Sequence, residues 1–456
     1  MTQTATSKSE TQKLIVGMGS TGLSCARFLR SRGVSFRVMD SRFSPPALAE
    51  FRREFPDVEI QLGGFSRESI LDASEILLSP GIGLSTPEIA EAVRHGVSVV
   101  GDIDIFSREA AVPVVAVTGS NGKSTVVTLL GEMARQAGLH TGVGGNLDGR
   151  ASMPALDLLR DDTHQLYVLE LSSFQLETTQ ALNAEVATIL NISEDHLDRY
   201  SDMNEYRAAK QRVFVGCHQM VLNRDEKFTW PEPLPDVPRW TYGLNEPDEY
   251  GFGVLELDGE PCLFHADTLI MPVKELKLKG AHNISNALAA FALGHAVHLP
   301  WDAMRQVLRE FGGLPHRCQR IRVLRGVSFF NDSKGTNVHA TVMAINSVAQ
   351  TVDGQVVLIA GGLGKGADFS PLLEAMENQV KSTILLGRDA PLMSELLSKV
   401  VPVTLVDDME QAVSEAFEQA QAGDAVLLSP ACASFDMFKD FSHRGRVFTA
   451  AVEALH

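Results

Sequence analysis

Three times along the chain an apolar, β-branched run gives way to a glycine-rich loop and then to apolar positions spaced as on one helix face. The runs are Leu14 to Gly22, Val114 to Lys123 and Val356 to Lys365. That order predicts strand, turn and helix in α/β units with parallel or mostly parallel sheets. The runs lie too far apart for a solenoid repeat, so each belongs to a separate α/β unit.

In the first unit Lys13 to Val16 reads as a buried strand, and Gly22, Ala26, Leu29 and Gly33 step around one helix face. Further strands are predicted at Ser35 to Met39, Glu59 to Leu62, Glu75 to Leu78 and Val97 to Val100, and the unit closes near Gly101. The second unit opens with the strand Val114 to Val117. Its helix carries Val126, Leu130, Met133 and Ala137 up to Gly138, and strands follow at Leu166 to Leu169 and Val186 to Leu190. Pro231, Pro233, Pro235 and Pro238 confine that segment to a loop. A β-rich stretch from Trp240 to Leu278 and helices from Asn283 to Ala296 and Ala303 to Phe311 complete the unit, and Gly312-Gly313-Leu314-Pro315 reads as a hinge. From His316 strand and helix alternate as in a doubly wound sheet, with the last helix running from about Phe435 to the end. The expected fold is therefore α/β in three domains: N-terminal Rossmann-like (1–101), central P-loop ATPase-type mononucleotide-binding (102–313) and C-terminal Rossmann-like (314–456).

The 456 residues suit about three domains. Forty Lys and Arg against 57 Asp and Glu leave a net charge of −17, which excludes the broad basic face that nucleic acid or anionic lipid requires. A small anion in a local basic pocket is still allowed. No apolar stretch nears the ~18 residues of a membrane span, and Met1 to Lys13 lacks the apolar core of a secretory signal. A cytoplasmic, monomeric protein is expected. Cys25, Cys217, Cys262, Cys318 and Cys432 are scattered and never spaced C-x-x-C, as for reduced thiols.

Gly17-Met18-Gly19-Ser20-Thr21-Gly22, followed by Asp40, matches the G-x-G-x-x-G pattern between strand and helix. Its glycines suit either a nucleotide diphosphate at a helix N-terminus or merely close strand–helix packing. Thr118-Gly119-Ser120-Asn121-Gly122-Lys123-Ser124-Thr125 is the more specific signal, although Val117 stands where the P-loop form has its first glycine. Loop N–H groups would wrap phosphates, Lys123 would meet the β- and γ-oxygens, and Ser124 would reach Mg²⁺. Glu170 emerges at the end of the next predicted strand, where a carboxylate can ligate Mg²⁺, and His196 follows the one after. An isolated Glu or His is ordinarily a surface residue. Two at strand ends beside a P-loop point to a metal-assisted site.

Thr118 to Thr125, Glu170 to Leu176, Glu194 to Arg199, Gly280-Ala281-His282-Asn283 with Asn286, Gly313 to Arg317 and Asn331 to Asn337 together resemble the ATP-dependent Mur ligases of peptidoglycan synthesis. The likeness covers nearly the whole chain, in order. Asp40-Ser41-Arg42 after the first glycine loop, Ser429 to Phe435, and the lack of an Asp-Asn-Pro-Arg motif in the last unit resemble the D-glutamate-adding members.

The resemblance implies a reaction joining D-glutamate to UDP-N-acetylmuramoyl-L-alanine, with ATP and two Mg²⁺ ions. The first unit would then hold the uridine nucleotide through Ser20, Thr21, Asp40, Ser41, Arg42 and Gly81, with Asn146, Gln175 and His196 nearer the sugar and pyrophosphate. The ATP site would comprise Gly119 to Thr125, Asn283, Asn286, Arg317, Asp332 and Lys334; the two asparagines could equally cap their helix. Ser124 and Glu170 would hold the first metal, and His196 the second. The resemblance also places Lys210 beside that metal as an N-carbamate, an anionic oxygen ligand in place of a repelling ammonium. Lys123, Glu170, His196 and Lys210 would be the catalytic set. Thr336, Lys365, Ser434, Phe435 and Phe441 would hold D-glutamate, with Ser434 at the N-terminus of the last helix. Closure of the last unit before chemistry is expected. A folate polyglutamate synthase, a nicotinamide-dependent dehydrogenase and a non-catalytic nucleotide-controlled protein are the competing readings.

Overall fold

The computed structural model describes residues 12–147, 153–197 and 199–456. Residues 1–11 of the polar N-terminal run and Asp198 of the His196 segment lie outside them. The first sheet is wholly parallel: β1 (Lys13–Val16), β2 (Phe36–Asp40), β3 (Ile60–Leu62), β4 (Glu75–Leu78) and β5 (Ser98–Val100), in the order β3-β2-β1-β4-β5. Leu14, Ile15 and Val16 of the apolar β1 run are all buried, as expected of a strand covered on both faces. The order reverses at β1, so the glycine loop after β1 and the turn after β4 share one crevice. Ser79 Oγ donates to Gly17 O across it at 3.2 Å.

The second sheet contains β6 (Val114–Thr118), β7 (Thr141–Gly145), β8 (Leu166–Glu170), β9 (Val186–Ile189), β10 (Gln219–Asn223), β11 (Arg239–Tyr242), β12 (Gly251–Leu257), β13 (Glu260–His265) and β14 (Thr268–Pro272). Its order is β14-β13-β12-β11-β10-β9-β6-β8-β7, parallel from β7 to β12 and antiparallel through β13 and β14. Here the reversal falls at β6, which ends in the P-loop. The helix Lys123–Gln136 buries Val126, Leu130 and Met133 against the helix Ala281–Ala296, and such side chains contribute ~1.5–3 kcal/mol each.

The third sheet, β15 (Gln319–Leu324), β16 (Val327–Asn331), β17 (Val356–Ala360), β18 (Val380–Leu385), β19 (Val403–Leu405) and β20 (Ala425–Leu428), runs β15-β16-β20-β17-β18-β19. Only β15 is antiparallel. The last helix corrects the sequence expectation: it spans Phe441–Ala454, and the Asp440 carboxylate caps it by accepting from His443 N at 2.6 Å. Residues 435–440 are a turn, and Phe435 is 71% exposed. Among the described residues no helix is long and apolar enough to cross a membrane, and all five cysteines are free.

At the join of the first two sheets Asp102 is buried, its Oδ1 has no side-chain hydrogen-bond partner among the described residues and Oδ2 accepts from Gln175 Nε2 at 3.3 Å. Burial pushes its pKa up to about 6, against the hydrogen bond from Gln175. A raised carboxyl pKa gives stability that is full below the unfolded value and lost as pH rises through about 6. Asp102→Asn should therefore raise the unfolding free energy measured in urea at pH ~8 by about 3 kcal/mol and change it little at pH ~4.

Candidate active site

The P-loop turns where β6 ends. Gly122, at φ +82, caps the helix Lys123–Gln136, and a Cβ there would lie 2.4 Å from Asn286 Oδ1. Backbone conformation and close approach both demand glycine. The loop is braced from behind: Ser120 N donates to Asn191 O at 2.9 Å, Asn121 N to Asn191 Oδ1 at 2.8 Å, and Ser193 N to Ser120 Oγ at 3.0 Å. Ser120 Oγ also meets Tyr206 OH at 3.1 Å. Lys123 Nζ folds onto its own loop, donating to Gly119 O at 2.8 Å and Ser120 O at 2.9 Å. Desolvation lowers its pKa, with Lys334 and Arg317 adding to the shift and Glu170 opposing it.

Glu170 closes β8 in register with Val117 of β6, which sets its carboxylate beside the loop. It is 2% exposed, and Oε2 has no hydrogen-bond partner among the described residues. A buried carboxylate oxygen left unpaired is costly unless a cation meets it. Lys210, on the helix Met203–Gln211, is equally buried, and Nζ donates to Gly119 O at 2.9 Å and sits 4.6 Å from the Tyr206 ring centroid. Burial, then the nearby Lys123 ammonium, push its pKa well below that of an ordinary lysine. His196 takes φ +57, and its ring packs on Phe174 at 4.7 Å. Desolvation, against the pull of Asp195, brings its pKa down to about 4, so at neutral pH the imidazole is neutral and able to ligate.

The third sheet's loops reach this constellation directly. Arg317 Nη2 donates to Ser124 Oγ at 2.8 Å. Asn337 Nδ2 donates to Asn121 Oδ1 at 3.3 Å and to Asp195 Oδ2 at 3.4 Å, while Lys365 Nζ donates to Asp195 Oδ1 at 3.4 Å. Burial raises the Asp195 pKa, but His196, Lys365 and Asn337 outweigh it and hold the carboxyl below its usual range. A cleft of about 270 Å³ runs between the P-loop and the third sheet, lined by Asn121, Thr125, Asn283, Asn286, Arg317, Asp332 and Lys334, with His282 and His339. Arg317 and Lys334 line it together with Asp332, and Asp225 and Glu226 also face it, so it offers both anion- and cation-binding groups.

Three family descriptions match the chain in order: the Mur ligase MurD-like N-terminal domain over residues 11–101, the Mur ligase middle domain over 117–294 and the Mur ligase glutamate ligase domain over 316–432. The chain is a Mur ligase. It is 54% identical over 443 residues to the UDP-N-acetylmuramoylalanine–D-glutamate ligase of Pseudomonas savastanoi pv. phaseolicola, spanning 97% of this chain and 98% of that one. It is 46% identical to the Coxiella burnetii protein of the same name, over 98% of this chain and 100% of that one. Among solved structures, MurF from Acinetobacter baumannii aligns with a TM-score of 0.62 at 16% identity (97% and 92% of the two chains) and a UDP-N-acetylmuramate–alanine ligase from Thermotoga maritima with 0.61 at 18% (97% and 99%). Those two share the three-domain fold.

In this Mur ligase the residues expected to meet a uridine nucleotide gather at the carboxyl ends of the first sheet. Ser20 and Thr21 open the helix Ser20–Ser31, Ser41 and Arg42 follow β2, and Gly81 follows β4. Asp40 is already engaged: Oδ2 accepts from Met18 N at 2.7 Å and Arg42 Nη2 at 2.7 Å, and Oδ1 from Arg42 Nε at 2.8 Å. Asn146 is exposed beyond β7, and its N donates to Glu170 O at 2.8 Å. Gln175 departs from expectation, because its side chain is spent on the Ser172 capping box and on Asp102. Asn283 Nδ2 likewise donates to Lys279 O at 2.8 Å, and Asp332 accepts from Cys318 N at 3.1 Å and Ser429 Oγ at 2.7 Å, with burial pushing its pKa up to about 6.

The D-glutamate candidates are spread around the mouth of the third sheet. Lys365, at φ +53, points to Asp195; Phe441 stacks under Lys334, whose Nζ is 4.0 Å from the ring centroid; Thr336 directly precedes Asn337. Ser434 is buried but seven residues ahead of the last helix, so no helix N-terminus supports it. Asp195, Asn337, Asn191 and Tyr206 join the site without having been singled out in the sequence. Asn337 also caps its own helix, accepting from Ala340 N at 2.8 Å.

Proposed function

We propose that this Mur ligase joins the amine of D-glutamate to the alanyl carboxylate of UDP-N-acetylmuramoyl-L-alanine, converting ATP to ADP and phosphate, in the cytoplasmic assembly of peptidoglycan precursor. The observation that carries the reading is the 54% identity to a named D-glutamate ligase over 97% of the chain. Its units are 1–101 for the uridine nucleotide, 102–313 for ATP and 314–456 for D-glutamate and the rest of the ATP site.

The alanyl carboxylate attacks the γ-phosphorus, giving an acyl phosphate and ADP. The amine then attacks the acyl carbon, and phosphate leaves. All reactants are anionic, so charge is the main barrier. Lys123 exchanges its loop carbonyls for phosphate oxygens, and Arg317 adds a fork of donors beside Ser124. The unpaired Glu170 Oε2 and the Ser124 hydroxyl fit one Mg²⁺, and neutral His196 with a carbamylated Lys210 fits a second. Bound there, Mg²⁺ would neutralise phosphate charge and polarise the transferring phosphoryl group. Lys210 suits carbamylation because burial and the nearby Lys123 favour its neutral amine: the nitrogen lone pair adds to CO₂, a proton leaves, and the remaining N–H can still donate to Gly119 O. Lys365 supplies the countercharge for a glutamate carboxylate.

ADP release should require both UDP-N-acetylmuramoyl-L-alanine and D-glutamate, with L-glutamate inert; turnover with a folate acceptor instead would overturn the reading. Lys365→Ala should raise the KM for D-glutamate about 10–100-fold while leaving the KM for ATP near wild type, measured by the same assay.

A further inference from the structure

At the end of the central sheet away from the P-loop, the amino ends of β7 and β8 meet. His140 immediately precedes β7, and Asp161, Thr163 and His164 lie in the turn before β8. One nitrogen of each imidazole and one Asp161 oxygen all lie within 4.8 Å of one another. Asp161 Oδ2 is 3.6 Å from His140 Nε2 and 3.8 Å from His164 Nε2, too long for hydrogen bonds. The two rings lie 4.7 Å apart, tilted by 36°.

Thr163 fixes the chemistry of this group. Its hydroxyl donates to Asp161 Oδ1 at 2.6 Å, and its N–H to the same oxygen at 3.0 Å, leaving Oδ2 to the histidines. The same hydroxyl oxygen is 2.6 Å from His140 Nδ1. With its proton given to Asp161, that oxygen accepts from Nδ1–H, so the lone pair of His140 is on Nε2, the atom nearer the carboxylate. The His164 side chain is 9% exposed, and its Nδ1 has no partner among the described residues. Its Nε2 is the nitrogen turned toward Asp161, 3.8 Å from Oδ2.

We propose that His140 Nε2, His164 Nε2 and Asp161 Oδ2 form a structural site for a divalent transition metal of the Zn²⁺ class, with water in the fourth position. Two imidazoles and a carboxylate are the donor set that such ions take. Tetrahedral ligands at ~2.0–2.1 Å stand about 3.3 Å apart; the Asp161 edges, at 3.6 and 3.8 Å, lie close to that, and the edge between the histidines, within 4.8 Å, closes by side-chain rotation. The metal clamps β7, the outermost strand of its sheet, to β8. The carboxyl ends of the same two strands carry Asn146 and Glu170, so the clamp steadies the edge on which the active site is built without entering the chemistry.

The test is Zn²⁺ titration of the full chain by calorimetry, in excess Mg²⁺ at about pH 7.5. Wild type should bind one more Zn²⁺ than Asp161→Asn or His140→Ala/His164→Ala, and Zn²⁺ should raise the thermal midpoint of wild type but not of those variants. Thr163→Val keeps all three ligands and should weaken that site about 10-fold or more; Asp161 and Thr163 are surface side chains, so these two variants stand should the double one fail to fold. Precursor-dependent ADP release without Zn²⁺ should match wild type in each folded variant. Equal Zn²⁺ stoichiometry and affinity in wild type and Asp161→Asn overturns the proposal, as does unweakened binding in Thr163→Val.

Discussion

Lys123→Ala should lower kcat for precursor-dependent ADP release by about 10³-fold, the scale of losing a charged group that stabilises developing phosphoryl charge. The fold should survive. Among the described residues Lys123 bonds to the carbonyls of Gly119 and Ser120, and Gly119 O keeps its bond from Lys210. Burial has already weakened the hold of its proton, so the ammonium gains most when it meets an anionic oxygen. A matching far-ultraviolet spectrum and unfolding midpoint with collapsed turnover is the expected pair of results. Turnover within a few-fold of wild type would remove Lys123 from the chemistry.

Lys210→Ala should cost at least about 10²-fold in kcat, partly restored by millimolar formate or acetate, because a small carboxylate can supply the anionic oxygen that the carbamate provides. In wild type, ¹³CO₂ should label one lysine, detected as a carbamate carbon by NMR, and the label should be absent in Lys210→Ala. Full activity of the variant, or loss of activity with no rescue and no label, would sink the assignment. A solvated lysine has no reason to respond to formate. Lys210 is 2% exposed and lies against the P-loop, where a charged ammonium beside Lys123 would be doubly unfavourable.

The strands β1, β6 and β17 are legible in sequence because each couples a β-branched run to glycines and a helical period. β7 is not: Thr-Gly-Val-Gly-Gly offers little side chain to a sheet, and its glycines are there because a Cβ at Gly145 would stand 2.3 Å from Glu170 O. β15 hides because an antiparallel edge strand keeps its polar side chains in solvent. The misplaced start of the last helix has a similar cause, since Phe435 extends the apolar pattern while standing in solvent. The P-loop and Glu170 stand out in sequence because the loop follows, and Glu170 ends, a recognisable strand. Asp195 does not, because its partners Asn337 and Lys365 are 142 and 170 residues away and meet it only once the third sheet has docked on the second.

Inhibitors of this enzyme fall into two kinds according to what they ask of the P-loop. A neutral compound filling the nucleoside end of the cleft leaves Lys123 on the carbonyls of Gly119 and Ser120 and draws its affinity from walls such as Leu314 and Met343. A bacterium can exchange those wall residues and keep its cell wall. With Lys123 in the role proposed for it, an anionic compound that lifts it off its loop would bind through the same atom as the reacting phosphate, and a resistant cell would have to give up the reaction to escape it.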